Sequence, residues 1–457
     1  MTLWGGRFDD DPDAAVWAFT ASRTDRRLLA VDVAGSIAHV TALGTANILP
    51  APEVEALVAG LETIEAEEAA GEFEFLDTDE DVHTAVERRL GELVGAVAGK
   101  LHTGRSRNDQ IALDLRLYLL GSIDRIQHSI SGLITGLLTA AEEAGEAVVA
   151  SYTHMQHAQA VPFAHHLLAH AWALSRDLGR FDDARKRLSV SPLGAGAGGG
   201  TRLPLDPSAS AAHLGLGGVF DNSLDAVAAR DQAAEYAWCC TQTFLDLSRV
   251  AEEMVLWSSA EFGWVEVADR HATGSSALPQ KKNPDPAELS RGKAGSAIGR
   301  LTGLLSVMKA MPLSYNRDLQ EDKEHLFPLG DDLEGALSAM TALISGAIFS
   351  PKPPSFDVTA LDLAEILVER GVPFREAHDA IGRLVAMRHD ADLELHGIGY
   401  DDLAAVHDRF EPGDEQLADP VESVRSRRSP GGGSFQSVQV QLEALRELLE
   451  ARTDPDH

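Results

Sequence analysis

The longest helical pattern in the chain runs from about residue 109 to residue 144. Its apolar residues recur at three- and four-residue steps and form a heptad-like stripe, which consists of Ile123, Ile126, Ile130, Leu133 and Leu137. At ~1.5 Å per residue this helix would be about 54 Å long. Because a stripe of that length is buried best against other long helices, the segment predicts a helical bundle.

Four more segments have long helical patterns, and they begin near residues 162, 226, 286 and 323. The helix predicted at 226–259 is apolar on nearly every side, which is typical of a helix surrounded by others. Strand patterns are few, so we predict an all-α fold with a central bundle of long helices. Apolar faces left exposed on such helices would be covered by other subunits, so we expect a homo-oligomer.

The pattern changes at two places and thereby divides the chain. Before residue 108 the sequence mixes short helical patterns with turns, and the proline-rich residues 351–355 end the last long helix. We therefore predict three domains: an N-terminal mixed helical domain at 1–107, a central long-helix bundle at 108–350, and a small C-terminal helical domain at 351–457.

Acidic residues dominate the charge, since 71 Asp and Glu oppose 39 Lys and Arg and give a formal net charge of −32. A field of this sign repels nucleic acid and anionic membranes, so we expect neither as a partner. Only eight of the basic residues are lysines. We interpret the composition as halophilic, an adaptation to a salt-rich cytoplasm where screening relieves self-repulsion. Half of these lysines, Lys281, Lys282, Lys293 and Lys323, fall in or near the polar segments described below.

The N-terminal sequence and the cysteines favour a cytoplasmic location. The start lacks the basic and apolar regions of a signal peptide. Charged residues interrupt the apolar runs before they reach the length of a membrane span. Cys239 and Cys240 are neighbours in an apolar helix, where we expect two core residues rather than a disulfide.

Two motifs suggest ligand binding but lack a supporting context. Gly194–Thr201 is rich in glycine, yet no strand precedes it and no helix start follows it. We expect a flexible connection rather than a phosphate loop, with a mobile lid as the alternative. His166 and His170 would share a helical face, as metal ligands can, but no cysteine or carboxylate ligand lies close in sequence. We therefore expect no metal and no cofactor, and interpret these histidines, with His157 and His165, as packing or hydrogen-bonding residues.

A polar stretch at 273–288 interrupts the long helices. It contains glycine, two serines, two lysines, an asparagine and three prolines, and it follows neither the strand period nor the helix period. It therefore predicts a loop, with Pro284 and Pro286 at the entry to the next helix. Loops that carry such polar groups between long helices are functional sites more often than they are linkers. Residues 273–288 are therefore the first candidate for a catalytic segment.

Two other polar segments adjoin predicted helices. Residues 101–110 open the longest helix, where Arg105 and Arg107 oppose the helix dipole; an anionic ligand would resolve that conflict. His154 lies in a polar run before the helix that Pro162 opens, and an imidazole at a helix start can exchange protons near neutral pH.

Five segments together resemble the argininosuccinate lyases of the fumarase/aspartase superfamily. Gly274-Ser-Ser-Ala-Leu-Pro-Gln-Lys-Lys-Asn-Pro284 resembles the superfamily's signature loop, with Leu278 where methionine is usual. The other segments that carry the resemblance are Leu3–Phe8, Leu101–Gln110, Thr153–Gln156 and Tyr315–Lys323. The resemblance implies a homotetramer in which three chains contribute to each site, and a loop that closes over the substrate with Gly274 as its hinge.

The resemblance also implies a reaction, the reversible β-elimination of argininosuccinate to arginine and fumarate through an aci-carboxylate intermediate. It makes Ser275 the base, as an alkoxide, and gives Lys281 and Asn283 the task of holding negative charge. His154 becomes the acid that protonates the leaving nitrogen, with Glu288 to orient it. The positions that match substrate-binding residues are Ser22, Arg107, Asn108, Thr153, Tyr315, Gln320 and Lys323.

Two alternative functions remain open at this point. Fumarase, aspartase and adenylosuccinate lyase share the serine, lysine and asparagine of the loop. Only the amino-acid sequences of residues 101–110 and 280–285 distinguish an argininosuccinate lyase from these enzymes. A non-catalytic structural protein could use the same scaffold. The presence of Ser275, His154, Lys281 and Glu288 together argues against that second alternative.

Overall fold

We describe a computed structural model of the chain that covers residues 13–390, 393, 395 and 397–453. It confirms the all-α prediction, because helices account for most of this part of the chain. The α-helices are α1 Ala14–Thr20, α2 Leu29–Thr45, α3 Ala51–Ala69, α4 Val82–Val94, α5 Arg107–Glu143, α6 Phe163–Leu188, α7 Pro207–His213, α8 Ser223–Ala228, α9 Asp231–Trp257, α10 Asp285–Met308, α11 Asp322–Ser345, α12 Ala360–Glu369, α13 Phe374–Asp390, α14 Tyr400–Val406, α15 Pro420–Ser426 and α16 Phe435–Thr453.

Short strands form four two-stranded sheets within the same residues. Three of the sheets are antiparallel, and β3 with β4 is the parallel pair. The strands are β1 Val148–Thr153, β2 Gln156–Pro162, β3 Val190–Ser191, β4 Gly218–Val219, β5 Val265–Glu266, β6 Thr273–Gly274, β7 Lys282–Asn283 and β8 Ile348–Phe349. The order along each sheet is β1-β2, β3-β4, β5-β8 and β6-β7.

Five helices are much longer than the rest and match the five predicted segments. They are α5, α6, α9, α10 and α11, of 37, 26, 27, 24 and 24 residues. The predicted stripe on α5 is buried, with each of its five side chains at most 1% exposed. The periodicity of the apolar residues therefore identified both the helix and its buried face.

The chain divides into two compact units, each made of three segments. Among the described residues, one unit comprises 13–127, 179–242 and 295–334, and the other comprises 128–178, 243–294 and 335–453. The division into domains at 107 and 350 remains a prediction. In the second unit, α12, α13 and α14 pack around a local core, which includes Leu363, Leu367, Ile381, Leu384 and Leu403.

One helical segment of the first unit meets the length and hydropathy of a membrane span, although charged residues were expected to interrupt every such run. Thr24–Thr45 is long and apolar enough to cross a membrane by composition alone, and 61% of its most apolar window is buried inside the protein. That burial is typical of a core helix. The expectation that the chain has no membrane partner remains a prediction.

Candidate active site

A cavity of about 130 Å³ in the first unit gathers most of the predicted substrate-binding residues. Six of the seven line it, namely Ser22, Arg107, Asn108, Tyr315, Gln320 and Lys323. They come from the start of α5, from the segment before α2 and from the segment that leads into α11. Residues separated by up to about 300 positions thus converge on one volume.

Carboxylates of the protein already neutralise Arg107 at the start of α5. Its guanidinium Nη1 lies 2.8 Å from Asp81 Oδ2 and 3.3 Å from Glu80 Oε2. Its Nη2 donates to Thr84 Oγ1 at 2.9 Å. The conflict between Arg107 and the helix dipole is therefore relieved in part by these side chains, and not by a ligand alone.

Lys323 reaches the cavity from a buried charge cluster. Its Nζ donates to Asp322 Oδ1 at 2.8 Å, and Arg230 Nε donates to Asp322 Oδ2 at 2.7 Å. All three side chains are at most 3% exposed. Burial by itself would raise the pKa of Asp322, but the two cations outweigh it and lower that pKa. The cluster fixes the position of the lysine ammonium.

A second buried network lies at the cavity wall. His83 Nδ1 is 2.9 Å from Asp32 Oδ2 and 3.7 Å from Asp114 Oδ2. Burial would lower the pKa of His83, but Asp32 and the neighbouring carboxylates raise it to about 9. Burial raises the pKa of Asp25, another wall residue, to about 6. His83 is thus a cation at neutral pH that faces the cavity.

Sequence reasoning missed four polar residues of this wall, Asp25, Asp81, His83 and Arg317, and the apolar Ile111. Asp81 caps α4 by accepting from the Thr84 N–H at 2.8 Å. The same side chain also holds Arg107. No local signal in the sequence indicated that second role.

The glycine run is an ordered part of this unit, contrary to the expected flexible connection. The N–H groups of Gly194 and Gly196 donate to Asp109 Oδ2 at 3.0 and 2.8 Å, and both glycines are buried. Gly194 has φ +103°, and a Cβ there would meet Pro207 Cγ at 2.7 Å. Asp109 follows Asn108 in α5, so the run is tied to the helix start that carries two cavity residues.

His154 lies at the tip of a β-hairpin, which corrects its expected position at a helix start. Strands β1 and β2 pair antiparallel and close with Thr153 opposite Gln156. The turn residues, His154 and Met155, have φ of +54° and +58°. Such left-handed values are uncommon outside glycine and occur together in tight hairpin turns of this kind. Backbone strain of this sort often occurs at functional sites.

The hairpin is braced beside its tip. Tyr152 Oη lies 3.0 Å from His157 Nε2, and the two rings meet edge to face with centroids 5.0 Å apart. His154 and Met155 project beyond this pair and are exposed within the chain. The imidazole proposed as an acid is therefore presented on a short, rigid support.

The segment 273–288 is a small hairpin followed by the first turn of α10. Strand β6 pairs with β7, so the predicted loop is confined to residues 275–281. The Ser275 Oγ accepts from the N–H groups of Ala277 and Leu278 at 3.2 and 3.1 Å. Two N–H donors directed at one hydroxyl oxygen favour its anionic form.

The other predicted catalytic residues occupy this hairpin or the adjoining helix. Asn283 Nδ2 donates to Thr273 Oγ1 at 3.4 Å. Lys282 Nζ lies 2.7 Å from Asp269, whereas Lys281 has no ion-pair partner among the described residues. Glu288 lies in the first turn of α10 and is exposed. Lys281 is therefore the lysine of the pair that remains available to an anionic ligand.

The predicted residues are divided between the two compact units. Thr153, His154 and the catalytic residues of 273–288 belong to the second unit, whereas the cavity belongs to the first. Within the described part of the chain, no hydrogen bond or ion pair joins His154 to Glu288. The first unit offers a cavity with several cationic groups on its wall, and the second offers a hydroxyl with two N–H donors and an exposed imidazole.

Comparisons with known proteins find lyases, and among them argininosuccinate lyases. A family model described as Lyase matches residues 6–299, and one described as Argininosuccinate lyase C-terminal matches residues 357–425. The chain is 48% identical over 455 residues to an argininosuccinate lyase from Roseiflexus sp. (strain RS-1), covering 98% of this chain and 100% of that protein. It is 45% identical over 456 residues to the argininosuccinate lyase of Symbiobacterium thermophilum, covering 98% and 99%.

Solved structures share the fold. An EDDS lyase in complex with formate superposes with a TM-score of 0.79 at 27% identity, over 95% of this chain and 88% of that one. A class II fumarase from Schistosoma mansoni gives a TM-score of 0.71 at 16% identity, over 90% and 94%. The second likeness concerns the fold alone. The segment Leu3–Phe8, which contributed to the resemblance, lies outside the described residues.

Proposed function

The chain belongs to the argininosuccinate lyase family, and from this premise we propose how its residues cleave argininosuccinate into arginine and fumarate. The observation that carries the proposal is the convergence of six predicted substrate-binding residues on one cavity. Arg107, Arg317 and Lys323 bring three cations to that cavity, and a succinyl group offers carboxylates to pair with them. The substrate is thereby held by its acidic end.

Ser275 is the base in this proposal. A proton must leave the carbon next to a carboxylate, which yields a doubly charged aci-carboxylate. The N–H groups of Ala277 and Leu278 support the alkoxide because they already donate to the Ser275 oxygen. Lys281 and Asn283, at the end of the same hairpin, supply positive charge and a hydrogen bond for the developing anion.

His154 completes the elimination as the general acid. When the bond between carbon and nitrogen breaks, the electron pair stays on the guanidino nitrogen of the departing arginine, and a proton from the imidazole neutralises it. The exposed hairpin tip supports this role because it can reach a substrate that is bound to another chain. Glu288 of a neighbouring subunit would then orient the imidazole, since the described residues hold no such pair within one chain.

A homotetramer with shared sites would bring these parts together. Exposed apolar side chains recur seven residues apart on two of the long helices, as Trp238 and Leu245 on α9 and as Ile298 and Leu305 on α10. Seven-residue spacing is typical of helices that pack against partners in a bundle. We accordingly propose that α9 and α10 form the subunit contacts, in a cytoplasmic enzyme of arginine biosynthesis.

The decisive assay follows the ultraviolet absorbance of fumarate after argininosuccinate is added. Ser275→Ala should lower kcat by at least about 10²–10⁴, the usual worth of a general base. Ser276→Ala is the matched control, because it removes a neighbouring exposed hydroxyl from the same hairpin and should leave kcat within about twofold. Near-normal turnover by Ser275→Ala would exclude this serine as the base.

Two further comparisons test the substrate and the shared site. Fumarate release from aspartate or adenylosuccinate, but not from argininosuccinate, would assign the chain to another lyase of the superfamily. Mixed tetramers of Ser275→Ala and His154→Asn subunits should recover part of the activity, since some sites then receive both intact residues. Mixtures as inactive as their parents would contradict sites built from several chains.

A further inference from the structure

Two histidines of α6 and one glutamate of α9 converge on a single point in the second unit. His166 Nε2 lies 2.8 Å from Glu253 Oε2, and His170 Nε2 lies 2.5 Å from the same oxygen. The four-residue spacing puts both imidazoles on one face of α6. The three candidate ligand atoms lie within 4.8 Å of one another. The elimination reaction assigns no role to any of these residues.

We propose that His166, His170 and Glu253 bind a divalent transition-metal ion of the zinc class. Two imidazoles and one carboxylate are an established ligand set for zinc, which leaves a fourth position for water. Imidazole nitrogen also suits cobalt and nickel, while magnesium and calcium prefer oxygen ligands alone. The chemistry of the set therefore selects a transition metal.

The present spacing needs only a small adjustment to accept the ion. Bonds of ~2.0–2.1 Å arranged as a tetrahedron separate neighbouring ligand atoms by about 3.3 Å. The carboxylate oxygen must therefore move away from the two nitrogens by less than about 1 Å. The side chain of Glu253 is 29% exposed, so it has the freedom to make that movement. The two imidazole nitrogens lie within 4.8 Å of each other, and rotation of the two rings about their side-chain bonds can adjust that spacing.

The surroundings orient the ligands and leave room for the ion. The ring of His166 meets Trp257 edge to face, with centroids 5.2 Å apart. The three ligands border a cavity of about 290 Å³, whose other polar walls are Ser151, His165, Asp246 and Arg249. Asp246 adds a second carboxylate to this wall, and Arg249 adds a cation. Packing and a lined cavity together are what a metal site requires beyond its ligands.

The other convergent cluster in the described residues is less suited to a metal. It consists of Asp32, His83 and Asp114, all fully buried. It offers a single imidazole, and the buried guanidinium of Arg105 acts on both carboxylates. A nearby fixed cation repels a metal ion, and His83 already serves the cavity wall as an imidazolium. The cluster on α6 and α9 offers two imidazoles, although Arg249 lies on the wall of its cavity.

A bound ion would link the long helices α6 and α9 through its three ligands. α6 begins directly after β2, which is one strand of the hairpin that carries His154. Binding to the folded state alone raises the melting temperature by mass action. The site is thus expected to stabilise the chain, independently of whether the chain cleaves argininosuccinate.

Titration of metal-free full-length protein with Co²⁺ and with Zn²⁺ tests the proposal. The titration is run in about 0.5 M KCl, because salt screens unspecific attraction of cations to an acidic surface. We expect one Co²⁺ per chain with the visible absorption of a four-coordinate ion, and a higher melting temperature with Zn²⁺. His170→Asn and Glu253→Gln should each weaken binding at least about 100-fold, since even indirect partners of a metal contribute 10–100-fold.

His213→Asn is the matched control, because it removes an exposed histidine from α7 and should leave binding unchanged. Circular dichroism identifies any variant that fails to fold, in which case Glu253→Gln alone decides. Failure of the wild-type chain to bind one Co²⁺, or equal affinity in folded Glu253→Gln, would overturn the proposal. The readouts do not use turnover, so an error in the proposed function would leave this test intact.

Discussion

Replacing Asp109 by alanine tests whether one carboxylate holds the glycine run. Oδ2 accepts from the N–H groups of Gly194 and Gly196, and Oδ1 accepts from the N–H of Ser106 at 2.9 Å. The two glycines are buried, so their donors would lose an acceptor that water does not readily replace. Each such donor costs about 1–3 kcal/mol, which gives about 2–6 kcal/mol for the pair.

The charge of Asp109 offsets part of that cost. Burial raises the pKa of this carboxyl despite its three N–H donors, so removing the charge recovers some free energy. We therefore expect Asp109→Ala to lower the free energy of unfolding by about 2–4 kcal/mol. Asp109→Asn keeps one acceptor oxygen for the glycines and leaves only the Ser106 donor unpaired. Its expected cost is smaller, about 1–2 kcal/mol.

Urea unfolding at fixed protein concentration measures these differences. Asp206→Asn is the control: Asp206 is an exposed N-cap of α7 that accepts from Ser208 at 2.9 Å. Asparagine caps a helix as well as aspartate, so this change should leave the urea midpoint almost unchanged. An Asp109→Ala protein within about 1 kcal/mol of wild type would show that the glycine N–H groups have other acceptors.

Two further predictions concern the charges around the cavity. The pKa of His83 is raised to about 9. The stabilisation that protonated His83 provides is therefore complete below about pH 6.5 and is lost as the pH rises through 9. The free energy of unfolding should fall by about 3 kcal/mol over that range. His83→Gln should flatten this slope in urea titrations, and an equal slope in both proteins would assign it to other groups. Asp322→Asn leaves Arg230 and Lys323 buried without a counter-charge. It should therefore lower the free energy of unfolding by about 3–5 kcal/mol and raise KM. A decrease of less than about 1 kcal/mol in urea unfolding would contradict the buried cluster.

Periodicity predicted the part of the fold that depends on local spacing. A stripe at three- and four-residue steps must lie on one face of a helix, and the buried side chains of α5 are those of the predicted stripe. The β1–β2 hairpin escaped prediction because its strands, Val148–Thr153 and Gln156–Pro162, do not alternate apolar and polar residues cleanly. Its turn also uses His154 and Met155 where asparagine and glycine are the usual signal.

Contacts between distant segments account for the missed site residues. Glu253 lies 83 positions from His170 in sequence, so no spacing rule connects it with the two histidines of α6. Asp81 caps α4 through a local contact, while its bond to Arg107 depends on how α4 meets α5. Local chemistry therefore identified candidate groups, and the fold decided which of them meet.

Cationic groups outnumber carboxyls on the cavity wall, whereas the chain as a whole is acidic. Four cationic groups line the cavity (Arg107, Arg317, Lys323 and protonated His83) against the carboxyls of Asp25 and Asp81. The chain as a whole carries −32 and repels an anionic substrate at long range. Salt near 1 M shortens the screening length to ~3 Å, which removes that repulsion but spares close ion pairs. KM for argininosuccinate should therefore fall as KCl rises from low concentration, and a steady rise instead would contradict the halophilic interpretation.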